Sequence, residues 1–193
     1  MSKTEVSQAA CSMWASIIVD IMALLSILPN GELDIAPSAT SSSTDFDFLR
    51  GRFAMRHRKL KSRLTNCDEW TEFESVTEGY PVLNGLGNID RLQTEFDGKP
   101  FEGLTLRLFN PATRLWSLYW VDSNAAVLDE PMVGSFDGPI GSFYASDQHD
   151  GKPVICQFCW DKTDPSKPSW SQALSPDGGE TWEWNWYMDF SRV

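Results

Sequence analysis

The stretch WSQALSPDGGETWEWNWYMDF, residues 170–190, decides the fold. Trp182, Trp184, Trp186, Met188 and Phe190 take every second position, with Glu183, Asn185, Tyr187 and Asp189 between them. Side chains of an extended chain alternate between two faces, so this is a β-strand with one large apolar face and one polar face. The alternation places Trp184 and Trp186 inward and Glu183 and Asn185 outward. Ser175-Pro-Asp-Gly-Gly ahead of it is turn chemistry: Asp bonds nearby backbone and Gly supplies positive φ. The two pieces make a β-hairpin whose tryptophan face must be buried.

The same alternation runs backward through the chain to residue 45. Phe53, Met55 and His57 alternate with Ala54, Arg56 and Arg58, and Leu104, Leu106 and Leu108 alternate with Thr105 and Arg107. Asn84-Gly, Asp97-Gly-Lys-Pro, Asn110-Pro and Asp137-Gly-Pro separate short strand-like runs. The count is about ten strands with a turn roughly every ten residues, the spacing of an antiparallel sandwich or barrel. Closing an up-and-down meander into a barrel removes exposed edges, which favours an all-β barrel. A barrel of this strand number can hold one small ligand.

The first 44 residues read differently. Trp14, Ile17, Ile18, Ile21, Leu25 and Leu28 follow helical spacing, which predicts an amphipathic helix over residues 12–28. Pro29-Asn-Gly ends it, and residues 35–44 read as a small-residue linker with nothing to bury. The expected domains are therefore a segment 1–44 and a barrel 45–193. A signal peptide or membrane anchor at residues 12–28 is the runner-up reading, weakened by the central Asp20. Membrane insertion is not expected, and homo-oligomerisation through the helix is a further option.

Lysine and arginine number 16 against 27 acids, a net charge of −11, which argues against nucleic-acid binding because phosphates are repelled. Four cysteines are too sparse for a disulfide framework and suit free thiols in a cytoplasmic protein. Cys156-Gln-Phe-Cys159 sits in an alternating strand, so its thiols face opposite sides and do not form a metal site. No metal is expected. No cofactor is expected either, since the last strands carry no axial histidine for haem.

Residues 46–58 (FDFLRGRFAMRHR), Gly85-Leu-Gly-Asn-Ile-Asp, residues 106–120 (LRLFNPATRLWSLYW) and Ser175-Pro-Asp-Gly-Gly-Glu-Thr-Trp together resemble a group of bacterial calycin (lipocalin-like) β-barrel proteins, the domain-of-unknown-function type related to DUF1579. The resemblance covers about residues 45–193 and implies a barrel with a central pocket. The Ser175–Trp182 motif is also similar to the Asp-box hairpin of sialidases, where its role is structural.

Alternation then nominates a pocket. Its apolar wall is Trp116, Trp120, Phe158, Trp160, Trp170, Trp184 and Trp186, and His57, Asn88, Asp90 and Gln172 share the inward faces. Aromatic walls with a few convergent polar groups are the usual make-up of a small-molecule site. The expected function is binding of a small hydrophobic or aromatic molecule. The alternative is a cofactor-free isomerase or cyclase that moves a proton with His57 or Asp90, a reading that contact between those two side chains would favour. The basic run from Arg50 to Arg63 reads as the solvated face of a strand, balanced by nearby glutamates.

Overall fold

Alternating strands joined by tight turns produce a closed antiparallel barrel. The computed structural model describes residues 25–193. The strands are β1 (Leu25–Ile27), β2 (Leu33–Ile35), β3 (Gly51–Leu60), β4 (Trp70–Val82), β5 (Gly87–Phe96), β6 (Lys99–Asn110), β7 (Leu115–Asp122), β8 (Met132–Asp137), β9 (Ile140–His149), β10 (Lys152–Asp161), β11 (Ser169–Ser175) and β12 (Glu183–Arg192). Strands β3 to β12 follow one another around the wall, and β12 pairs with β3 to close it. Every neighbour is antiparallel, so the wall has no free edge. The expected up-and-down barrel of about ten strands is the observed one.

Two features of the first stretch differ from the sequence reading. The helix expected over residues 12–28 lies mostly outside the described residues. Its last part is a strand instead: Leu25–Ile27 pairs with Leu33–Ile35 as a two-stranded hairpin. Pro29-Asn-Gly is the turn of that hairpin, with Gly31 at φ +85° and Leu28 N–H donating to the Glu32 carbonyl at 2.9 Å. The small-residue stretch that follows is stitched to the barrel. Ser38 N–H donates to Ser135 Oγ (2.9 Å), Ser38 Oγ to Asp137 (2.9 Å) and Ser41 Oγ to the Arg114 carbonyl (2.8 Å). Ser38 and Ser41 are buried, because short hydroxyl side chains satisfy the polar ends of β7 and β8 without bulk.

One end of the barrel is plugged. A single 3-10 turn at Asp47–Leu49 carries Phe46, Phe48 and Leu49 into the opening, all three buried. Phe46 meets Trp116, Phe136 and Trp160 edge-on, at centroid separations of 4.9, 5.1 and 5.9 Å. Gly79 on β4 makes room for this: a Cβ there would lie 2.4 Å from the Leu49 carbonyl oxygen. The opposite end, where β3, β5, β7, β9 and β11 finish, carries the longer connections and is called the mouth below.

The β11–β12 hairpin is built as expected at its turn and altered in its strand. Asp177 accepts from Thr181 N–H (2.9 Å) and Ser175 Oγ (2.8 Å), and Trp182 Nε1 donates to the Gly179 carbonyl (3.1 Å). These are structural contacts. Further along, the β11–β12 register shifts between Gln172 and Ala173: Gln172 faces Trp186, but Ala173 faces Trp184. Asn185 is the extra residue of a β-bulge.

Candidate functional site

The bulge decides which tryptophans line the interior. Directly paired residues share a face. Trp170, Gln172 and Leu174 on β11 point inward, so Trp186, opposite Gln172, points inward too. Trp184, opposite Ala173, lies on the outer face, which corrects the expectation that it lines the pocket. Asn185 is also corrected: it is fully buried and accepts from Gln172 Nε2 at 2.9 Å. Glu183, expected outward, lies opposite the core residue Leu174 and accepts the Leu64 N–H with both carboxylate oxygens (2.7 and 2.9 Å).

The remaining predicted residues point inward but separate into two regions. At the plugged end, Trp116, Trp160 and Trp170 are buried and packed into the aromatic core. Trp116 Nε1 donates to the Ser42 carbonyl at 3.2 Å. Beside this core lies a polar cluster on β4, β5 and β6. Arg107 forms an ion pair with Asp90 and donates to Asn88 Oδ1 (2.8 Å), and Thr77 Oγ1 donates to the other Asp90 oxygen (2.8 Å). Asn88, Asp90, Arg107 and Thr77 are all buried, so the charges compensate each other away from water. Arg107 Nε and Trp160 Nε1 have no hydrogen-bond partner there.

Arg107 escaped the sequence reading. The leucines beside it drew attention as the apolar stripe, yet Leu104, Leu106 and Leu108 are only half-buried and Arg107 points in. Gly103 carried a signal for this. It shares Arg107's parity, and a Cβ there would lie 2.0 Å from the Trp120 ring, so Trp120 crosses the strand on that face.

Toward the mouth the interior changes character. His57 is buried and its ring stacks on Phe73 at a centroid distance of 4.2 Å. Trp186 Nε1 donates to His57 Nδ1 (3.3 Å), and the other ring nitrogen lies 2.7 Å from Ser75 Oγ. An indole N–H only donates, so Nδ1 is the unprotonated nitrogen and Nε2–H donates to Ser75. Burial, and secondarily the charge of Lys59, lowers the His57 pKa to about 4. Lys59 points inward as well, since it pairs with Trp186, and its Nζ sits 4.0 Å from the Trp186 ring centroid. This corrects the expectation that Lys59 belongs to the solvated face of the basic run.

His57 carries a prediction for stability. Its folded pKa lies below the ordinary 6.5, so the unfolded chain takes up the proton first as pH falls. The stabilising contribution is complete above pH 6.5 and is lost as pH falls toward 4, by about 3 kcal/mol. Denaturant unfolding of the wild type and His57→Gln at pH 7 and pH 4 checks this. The variant is expected to lose less stability on acidification, by about that amount.

His57 and Asp90 do not meet. His57 lies opposite Phe73 and Asp90 opposite Gly79, roughly six residues apart along β4, on the order of 20 Å. Asp90 is engaged by Arg107 and Thr77, and His57 by Trp186 and Ser75. The two therefore do not form a proton relay with each other.

Trp120 and Trp186 toward the mouth, and Phe158 and Met188 midway along the barrel opposite Phe143 and Trp170, face inward yet keep exposed surface. A separate cleft of about 430 Å³ opens at the mouth, lined in part by Arg63, Leu64, His149, Val154, Trp182 and Glu183; none of the pocket residues nominated from the sequence lines it. Cys156 points inward and is buried, which pushes its thiol up to about 12 and leaves it unreactive. Cys159 has the opposite parity, so the C-x-x-C is split between faces as its spacing predicts. Among the described residues no cluster of His, Cys, Asp or Glu is placed to hold a metal ion. Nor is any helix among them long and apolar enough to cross a membrane.

No family model matches the chain, and no curated protein matches it. Among solved structures, it is similar to the crystal structure of Rv2717c from M. tuberculosis, at 15% identity and a TM-score of 0.53. The match covers 87% of this chain and 99% of that one. At that identity the likeness is one of fold alone.

Proposed function

We propose that the chain is a binding barrel of the calycin (lipocalin-like) type, which takes a small hydrophobic or aromatic molecule into the half nearest the mouth. One observation carries this reading. The interior is packed solid around the plug, where Phe46, Phe53, Trp116, Phe136 and Phe143 are at most 1% exposed, whereas Phe158, Trp186 and Met188 retain exposed surface although they face inward. Apolar surface left accessible inside a barrel gains free energy when a ligand covers it, about 25 cal/mol per Å². His57, held neutral between Trp186 and Ser75, gives that region a polar group without a charge.

Trp186 is expected to report the ligand. Native mass spectrometry of protein purified without denaturation should show a co-purifying small molecule. Titration with naphthalenemethanol should quench tryptophan fluorescence saturably, and Trp186→Phe should remove most of the signal. A bare polypeptide mass together with linear, non-saturating quenching would sink the reading.

A further inference from the structure

The lysines of this protein differ in how their charge is met. Lys162 Nζ contacts the Asp45 carboxylate (3.2 Å) and carbonyl (2.9 Å), and Lys61 reaches Glu69 at 2.7 Å. Lys59 lies between them in character. It is partly buried on the inner face, and among the described residues no carboxylate pairs with it. Its visible partner is the Trp186 ring, 4.0 Å from Nζ. The cation that acts on it is Arg63, which lines the mouth cleft. An amine drawn out of water and set near a second cation is activated as a nucleophile, because both effects disfavour its protonated form. A flexible lysine arm suits this chemistry better than arginine, which stays charged.

We propose that Lys59 condenses with a carbonyl-bearing aromatic or hydrophobic ligand inside the barrel mouth, holding it as a Schiff base against Trp186. The Nζ lone pair attacks the aldehyde carbon and the carbonyl oxygen takes up a proton. The resulting carbinolamine gives up that oxygen as water and forms the C=N bond. One amine and one aldehyde yield one imine and one water, with no oxidation or reduction. The neighbouring groups are compatible. His57 is neutral and adds no repulsion at pH 7, and the Glu183 carboxylate is committed to the Leu64 N–H. Burial and Arg63 bring Lys59 down to about 8, so roughly 300-fold more of it is neutral at pH 7 than of an ordinary lysine. The inference rests on the binding reading above for the site's location and adds the chemical class of the ligand.

The test uses the whole chain, naphthaldehyde as the probe and sodium cyanoborohydride to trap the imine, with labelled lysines located by peptide mass spectrometry. Lys59 is expected to be labelled at least about tenfold faster than Lys61, Lys99, Lys152 or Lys167 at pH 7, and its rate should level off above about pH 8. Lys59→Arg keeps a cation and should abolish the fast phase. The comparison among lysines of the wild-type chain needs no variant, so a misfolded Lys59→Arg protein does not spoil it. Uniform labelling, or Lys59 slower than the surface lysines, would overturn the proposal. Naphthalenemethanol, which cannot condense, separates the two readings. If it binds while Lys59 labels no faster than the rest, the pocket stands and the covalent step falls. If it does not bind and Lys59 is still labelled fast, the covalent step stands alone. If neither happens, both fall.

Discussion

Arg107→Met is expected to cost about 3–5 kcal/mol of stability, because it leaves the Asp90 carboxylate charged, buried and without its cation. Asp90 and Arg107 lie on adjacent strands, two residues out of register because Arg107 sits directly opposite Asn88, and they are 7% and 4% exposed. At that depth water cannot take over when one partner is removed. Asn88 and Thr77 supply neutral hydrogen bonds, which orient the pair but do not neutralise it. Replacing both ions is a different matter. Asp90→Leu/Arg107→Met removes the desolvation cost with the attraction, and it should recover most of the loss. Chemical denaturation of the two single variants and the double variant forms the cycle that separates these effects. Single-variant losses under about 1 kcal/mol would mean that the pair is solvated in the folded protein.

Phe46→Ala carries the second large expected effect, again about 3–5 kcal/mol. Phe46 is 1% exposed and fills the plugged end. It touches Phe48, Trp116, Phe136, Phe143 and Trp160, with ring centroids between 4.9 and 6.0 Å, and the Arg107 guanidinium lies 5.1 Å from its ring. Truncation removes the transfer energy of the ring and leaves a cavity whose walls are themselves anchored in the barrel, so collapse is limited. The midpoint of denaturant unfolding should fall with the slope unchanged. A loss below about 1 kcal/mol would show that the turn at Asp47–Leu49 is a detachable cover.

The two variants also show what the sequence could reveal. The barrel itself was readable because hairpin turns and period-two alternation are local signals, and strand after strand carried them. Inward direction was readable where the alternation was unbroken, as at His57, Trp116, Asn88 and Asp90. It failed at Trp184 because one extra residue, Asn185, enters β12 opposite β11, and nothing in a single strand announces a bulge in its pairing. It failed at Arg107 for another reason. Leucines usually mark the buried face, but here the charged residue found its acid across the sheet at Asp90, a pairing that depends on register between strands. Lys59 shares the parity of His57 and so was legible in principle, but the surrounding run of arginines concealed it. The stretch around Ser38 looked like a spacer because its composition shows small polar residues and not the hydroxyl contacts they make with β7 and β8.

The plug at Phe46–Leu49 has a consequence for traffic. A barrel sealed at one end is a blind tube, in which whatever enters must reverse out along the same path. Under the binding role proposed above, length would become a criterion of selection, since a long chain could not thread through and its far end would protrude past Arg63 and Trp182. Residence time would then be set at that single opening, so substitutions in the connections around residues 63–66 and 149–153 should change how fast a bound molecule leaves more than how well it fits.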